Sequence, residues 1–300
     1  MLMLVDAASM YFRAFHALPE SITAPDGRPV NAVRGFLDMA ASLIDRRGPT
    51  RWVACLDLDW RPAFRVELVP GYKAHRVAAD GGEQVPEALV PQVPLLLAVL
   101  DALGLAAVGA AGFEADDVIA TLAARDGDAV EVVSGDRDLL ALATDRVRVL
   151  YTGKGIAKLE DMGPREVQAR YGVPAEHYAD FAILRGDPSD GLPGVAGVGE
   201  KTAAALVARF GPVERVLAAA IDGRDGFPAG AAARVRAAAA YLAVAPGAVR
   251  GRTDVPVPAI DDAIPATPAD PQRVIDLVDE LGIEAPVNRM LAAMASVAGR

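Results

Sequence analysis

Acidic residues punctuate this chain at the places where an α/β fold would gather them. Asp6 closes a short apolar run at Leu2 to Val5, Asp57 closes another at Trp52 to Leu56, and Asp136 and Asp138 follow a third that ends at Val133. In an open α/β sheet, ligands bind beyond the carboxyl ends of the strands, where side chains from separate loops converge. The stretch Gly-Phe-Glu-Ala-Asp-Asp adds Glu114, Asp116 and Asp117 at the expected start of a helix. Each group also has a plainer explanation, since the helix macrodipole favours acids in a first turn and Ser-Gly-Asp-Arg-Asp-Leu could serve as a cap. Number tips the balance: several carboxylates aimed into one crevice repel, and each must raise its pKa or find a cation. An all-oxygen donor set suits Mg²⁺ or Mn²⁺ rather than zinc, which would bring His or Cys, and His16, His75 and His177 show no paired spacing. A cluster too large for one ion points to two, roughly 4 Å apart, the arrangement that clamps a phosphodiester while metal-activated water attacks phosphorus.

A second motif stands at residues 185 to 202, Arg-Gly-Asp-Pro-Ser-Asp-Gly-Leu-Pro-Gly-Val-Ala-Gly-Val-Gly-Glu-Lys-Thr. A P-loop would place Lys directly after the second glycine, but Glu200 separates Gly199 from Lys201. The pattern reads instead as a helix-hairpin-helix. Gly194, Gly197 and Gly199 would let a tight turn present N–H groups to a phosphate, with Lys201 against a DNA backbone. Such contacts position a duplex without reading its sequence. Asp187 and Asp190, three apart, would share a helical face that turns back toward the acid cluster.

These groups need a scaffold, and the apolar pattern supplies one. Strands are expected at Leu2 to Val5, Trp52 to Leu56, Leu105 to Val108, Ala129 to Val133 and Val147 to Leu150, alternating with amphipathic stretches. Helices are expected over Ala32 to Arg47, capped by Asn31, over Pro86 to Leu103, ending at Gly104, and from about Glu114. From about Gly163 the pattern becomes helices joined by Gly and Pro, at Arg165 to Tyr171, Ala175 to Arg185, Glu200 to Phe210, Pro212 to Ile221 and Ala231 to Leu242. A β-like piece around Arg252 to Val257 precedes helices at Gln272 to Leu281 and Val287 to Val297. The chain thus divides into an α/β core over 1–162, a helical subdomain over 163–254, and a C-terminal part over 255–300 that packs back on the core. Residues 66 to 85 lack a clear period and concentrate Lys73, His75 and Arg76, as either a plain surface loop or a mobile basic element over the site.

Composition sets the outer bounds. With 52% apolar residues and 23% charged, the chain can bury a substantial core. No apolar run approaches the ~20 residues of a membrane span, and the opening Met-Leu-Met-Leu-Val-Asp meets an acid before a signal core forms, so a cytoplasmic chain without a membrane role is expected. Cys55 is the single cysteine and reads as an inert strand residue. A net charge of −10 argues against nucleic acid only superficially, because nine acids gathered around cations would account for almost all of it.

Taken together, the residues resemble the bacterial 5′ nuclease family of flap endonucleases, which includes the N-terminal nuclease domain of DNA polymerase I. The similarity runs from Asp6 to about Asp254. It rests on Leu-Val-Asp with Tyr11 and Arg13, Phe64-Arg65 then Tyr72-Lys73 and Arg76, Glu114-Ala-Asp-Asp, Gly135-Asp-Arg-Asp-Leu, and the stretch from Gly186 to Thr202. The resemblance implies a PIN-like α/β core with a helix-hairpin-helix subdomain. It also implies two-metal hydrolysis of DNA at 5′ flaps, nicks and free 5′ ends, RNA-primed ends included, leaving a 5′-phosphate and a 3′-hydroxyl in Okazaki-fragment processing and repair.

By the same resemblance, one ion is held through Asp6, Asp57, Glu114 and Asp116, with Asp117 or Asp136 acting through water, and the second lies near Asp136, Asp138, Asp187 and Asp190. Tyr72, Lys73 and Arg76 would stand at the base of a helical arch, the two cations steadying the scissile phosphate and Tyr72 stacking on a base. Tyr11 and Arg13 would lie near the reacting centre. Gly194, Gly197, Gly199, Lys201 and Thr202 would meet duplex DNA, and Val195 and Val198 would hold K⁺ through backbone carbonyls. Two departures stand out. The interval from Asp57 to Phe64-Arg65 is one residue longer than the family's, which makes Asp59 a rival ligand, and Gly191 replaces the usual Asn. With no sequence after residue 300, a stand-alone, monomeric nuclease is expected. The rival readings are a non-catalytic junction binder and a PIN-like ribonuclease.

Overall fold

In the computed structural model, which describes residues 1–298, the expected apolar runs form one six-stranded sheet. Strands β1 (Leu2–Asp6), β2 (Arg51–Leu56), β3 (Ala106–Gly109), β4 (Val130–Ser134) and β5 (Val147–Tyr151) are parallel, and β6 (Glu160–Met162) adds an antiparallel edge. Their order is β3-β2-β1-β4-β5-β6. Side chains alternate between two cores. Leu2, Leu4, Val53, Cys55, Val130 and Val132 face one, while Met3, Val5, Trp52, Ala54 and Val133 face the other. A sheet covered on both faces needs apolar residues at every position, which is why these strands read as continuous runs.

Helices α1 (Ala7–Ala17), α2 (Asn31–Arg47), α3 (Ala63–Leu68), α4 (Gln92–Leu103) and α5 (Ala115–Arg125) connect the strands. The helical part follows with α6 (Pro164–Tyr171), α7 (Tyr178–Arg185), α8 (Glu200–Phe210), α9 (Val213–Ile221), α10 (Ala231–Ala237) and α11 (Ala239–Val249). Its apolar faces continue the core beneath α5. Helices α12 (Pro271–Leu281) and α13 (Glu284–Ala298) return to the other face, where Leu277, Met290 and Met294 join Phe36, Leu37 and Leu100. Because β1 sits between β2 and β4, the chain winds both ways from it, and the crevice opens at the carboxyl ends of those three strands.

Several expectations need correcting. Asn31 does not cap α2; its amide donates to the carbonyls of Phe15 and Leu18 and its oxygen accepts from Gln92, which ties α1, α2 and α4 together. Residues 87–91 form turns, so α4 begins only at Gln92. The expected 175–185 helix starts as a 3-10 turn, and the 231–242 helix breaks at Ala238 and then continues to Val249. No strand forms at 252–257. The sequence reading passed over α1, α3 and β6. Nor is the 66–85 stretch a helical arch: after α3 ends, its regular structure is one 3-10 turn at Ala74–Arg76 and a bridge between Val77 and Glu83. Among the described residues, no helix is long and apolar enough to cross a membrane.

Candidate active site

Each acid owes its position to a strand end or a cap. Asp6 ends β1 and starts α1: its Oδ1 accepts the Ser9 amide at 3.0 Å and its Oδ2 accepts the Ser134 hydroxyl at 2.6 Å. Ser134 ends β4 and its oxygen in turn accepts the Asp136 amide at 2.9 Å, so one serine ties two strand ends together. Asp57 follows β2 and accepts the Ala115 amide at 2.7 Å, capping α5 from a distance. Asp6, Asp57, Glu114, Asp116 and Asp136 line a crevice of about 260 Å³, together with Lys73 and Arg76. A second cavity of about 190 Å³ is lined by Asp116, Asp138 and Asp190 with Arg65 and Tyr72, so Asp116 borders both. Asp59 lies outside both cavities, its carboxylate accepting the Arg61 amide. Geometry therefore favours Asp57 over its rival.

Crowding marks the electrostatics. Burial and the facing Asp57 push Asp6 up to about 7, against the hydrogen bonds from Ser134 and Ser9. Burial, then Asp136 and Asp6, push Asp116 well above the carboxylate range, and Asp138 rises for like reasons beside Asp136 and Asp190. Burial also raises Glu114 to about 7 although Lys73 and Arg65 pull the other way. Burial alone would lower Lys73, but Glu114 and Asp190 outweigh it and keep the ammonium charged. Among the described residues, no three carboxylates stand close enough to hold an ion unaided. Glu114 is drawn to Lys73 Nζ at 2.5 Å, and Asp187 accepts from Arg185 at 2.9 Å and from the Ser189 amide.

Two expected site residues serve other purposes. Asp117 is fully buried, and its two oxygens take both Arg65 terminal nitrogens at 2.7 and 2.8 Å. It also accepts the amides of Arg252 and Glu114, so it faces away from the crevice and knits α3, α5 and the 250s together. Tyr72 is 4% exposed, and its hydroxyl donates to Glu114 at 2.9 Å, leaving no ring face for a base.

The basic segment docks on the hairpin loop. The Lys73 amide donates to the Asp190 carbonyl at 2.9 Å, and Arg76 Nη2 donates to the Ser189 carbonyl at 2.6 Å and lies 3.3 Å from Asp190 Oδ1. Gly191 has φ +70, and any Cβ there would overlap the Gly71 carbonyl, which explains why the larger Asn is absent. Asp187 and Asp190 sit in this turn rather than on a helix, yet Asp190 still reaches the acids.

Tyr11 is half-buried near Asp57, Glu83 and Asp6, and burial and these acids hold its phenol far above the ordinary range. The Arg13 guanidinium stands beside Gly135, where a Cβ would come 3.1 Å from Nη2. Between α7 and α8, Gly194 packs so closely on Gly186 and Arg185 that only glycine fits, and Val195 and Val198 are buried beneath the turn. Gly197, Gly199 and Lys201 are exposed, with Thr202 half-buried behind them. The sequence reading missed Ser9, Ser134, Glu83 and Trp60. Ser134 alone carried a signal, as the residue directly before Gly135-Asp136.

Comparison with known proteins identifies the family and the fold. Residues 1–172 match the family model of the 5'-3' exonuclease N-terminal resolvase-like domain, and residues 173–272 match the 5'-3' exonuclease C-terminal SAM fold. The chain is 51% identical over 314 residues to a 5'-3' exonuclease of Mycobacterium tuberculosis, covering 99% of both. It is 39% identical over 308 residues to DNA polymerase I of Mycobacterium bovis, covering 99% of this chain and 32% of that protein. Among solved structures, a bacteriophage T5 D15 flap endonuclease complex with DNA and metal ions superposes with a TM-score of 0.64 at 19% identity, covering 100% of this chain and 99% of that one. Human GEN1 with Holliday junction DNA superposes with a TM-score of 0.63 at 14% identity, covering 98% and 71%. At such identities the structural likeness speaks for the fold.

Proposed function

Because the chain belongs to the 5′-3′ exonuclease family, we propose that it hydrolyses DNA phosphodiesters at 5′ flaps, nicks and free 5′ ends, in Okazaki-fragment processing and repair. The observation that carries this reading is the crevice itself, where carboxylates from three parallel strand ends and the start of α5 meet two cations.

The donor set suits hard divalent ions, Mg²⁺ or Mn²⁺. It is all oxygen, and the upward pKa shifts of Asp6, Asp116 and Asp138 come from burial first and then from neighbouring carboxylates, both of which a bound cation would offset. Asp6, Asp57, Glu114 and Asp116 would hold one ion, and Asp136, Asp138 and Asp190 a second, with Asp187 bracing the turn. Such ions supply an activated water and a clamp on the phosphodiester. The protein's own groups do the rest. Lys73 and Arg76 offer fixed positive charge to the phosphate, Tyr72 and Arg65 orient Glu114, and Ser134 holds Asp6 in place. Arg13 and Tyr11 border the reacting centre.

Away from the crevice, the exposed turn at Gly194, Gly197 and Gly199, with Lys201 and Thr202, would seat the duplex backbone. The Val195 and Val198 carbonyls would accept K⁺; that of Val195 already takes the Val198 amide at 2.9 Å and keeps a second lone pair. A labelled 5′-flap duplex tests the proposal: cleavage should require Mg²⁺ or Mn²⁺, stop in EDTA, and vanish in Asp136→Asn with binding retained. Robust turnover by Asp136→Asn, or preferential cutting of single-stranded RNA, would overturn it.

A further inference from the structure

Trp60 has no role in the site as described, yet it lines the crevice with Lys73, Arg76 and Asp57. It is half-exposed and, among the described residues, pairs with no other ring and joins none of the packed apolar clusters. Phe12, the other aromatic on the wall, packs against Tyr11 and the cluster around Leu89. An unpacked tryptophan usually means a floppy loop, but here the chain is tethered on both sides, by a backbone bond before it and by the Arg61 side chain after it. The Asp59 amide donates to the Phe113 carbonyl at 3.2 Å. Arg61 donates from Nε to the Tyr72 carbonyl at 2.6 Å and from Nη2 to the Pro70 carbonyl at 3.1 Å. The indole is therefore displayed from a fixed frame that also carries Lys73, and Leu58 beside it is 57% exposed.

We infer that Trp60 is a stacking platform for an unpaired nucleobase next to the scissile phosphate, a role that rests on the nuclease reading above. A phosphate drawn to Lys73 and Arg76 brings its own base within reach of the same wall. Base–aromatic stacking is indifferent to sequence, as a structure-specific site requires. A base within a duplex has both faces covered by its stacked neighbours, so the platform selects for a base that has left the stack. Tyr72, with its hydroxyl on Glu114 and its ring buried, leaves this task open.

The chain has two tryptophans, and Trp52 is fully buried in the core, so fluorescence isolates the platform. In EDTA, emission from the full chain should be quenched by a 5′-flap duplex and not by the same duplex without a flap, and Trp60→Phe should abolish the quench. With Mn²⁺ under single-turnover conditions, Trp60→Ala should cut the flap about tenfold more slowly, and Trp60→Phe should recover most of the rate. An abasic nucleotide placed in turn at the two positions flanking the cut should, at one of them, slow the wild type to the Trp60→Ala rate and leave Trp60→Ala unchanged. No quench, or losses that multiply at both positions, overturns the platform. A wild type that cuts no flap overturns the nuclease reading instead, while the quench still reports on base binding.

Discussion

If crowding in the crevice awaits a cation, stripping divalent ions should leave a protein whose stability falls as pH rises. Asp6 is the clearest case, with a carboxyl pushed from 3.8 to about 7 by burial and then by Asp57. A group that holds its proton more tightly when folded than when unfolded destabilises the fold as pH climbs from the unfolded value through the folded one. The penalty is absent below about 4 and complete above about 7. At about 1.4 kcal/mol per pH unit, that gap corresponds to roughly 4 kcal/mol for this 6%-exposed residue. Glu114 shifts the same way, but it shares neighbours with Asp6, so the two do not simply add. Carboxylates with lowered pKa, Glu160, Glu166, Glu214 and Asp254, lose their contribution only below about 4 and do not oppose the trend in this window. Between pH 5.5 and 8 only about 2 kcal/mol of the Asp6 penalty develops, so thermal unfolding in EDTA should show a melting temperature lower at pH 8 by on the order of 3 °C from Asp6 alone. Mg²⁺ should raise it more at pH 8, because ions bind the deprotonated cluster, and Asp6→Asn should flatten much of the slope. A metal-free melting temperature that is level or rising over this range would refute the reasoning.

Three further outcomes follow from particular contacts. Arg65→Met strands the fully buried Asp117 and removes a partner of Glu114, and should lower stability by about 3–5 kcal/mol in urea unfolding; a loss under about 1 kcal/mol would mean the pair is not what knits α3 to α5. Asp57→Asn should abolish flap cleavage while keeping the cap on Ala115, and Asp59→Asn should cut normally; reversed results would make Asp59 the ligand. Tyr72→Phe removes only the bond to Glu114 and should lower stability by about 1 kcal/mol in urea unfolding, while Tyr72→Leu, which removes the ring as well, should not weaken flap affinity; a large loss of affinity in Tyr72→Leu with Tyr72→Phe unaffected, measured by fluorescence anisotropy, would return Tyr72 to base stacking.

The scaffold was legible because its signals are local. A doubly covered sheet writes apolar runs, and acids at their carboxyl ends announce the crevice wherever the strands are parallel. Thus Asp6, Asp57 and Asp136 fall where the spacing puts them. What failed to show were features set by neighbours distant in sequence. The 66–85 segment has no period of its own, and its shape comes from docking on residues 189–191, a contact that Gly191 permits and that no pattern around Tyr72 encodes. Trp60 was silent for a related reason, as a single aromatic in a loop reads the same whether it faces solvent or a catalytic crevice.

Asp116 and Asp117 stand side by side in the sequence, but successive residues on a helix point about 100° apart, which turns them in different directions. Asp116 takes the crevice and Asp117 takes the opposite side, where Arg65 had to appear because a carboxylate with no exposure requires a partner. That partner is itself visible as Arg65, which lies beside Phe64 and Val66 in the short helix α3. Pairing an acid that helical geometry turns inward with a cation that cannot be left buried alone separates the ion-paired carboxylate from those of the crevice on sequence alone.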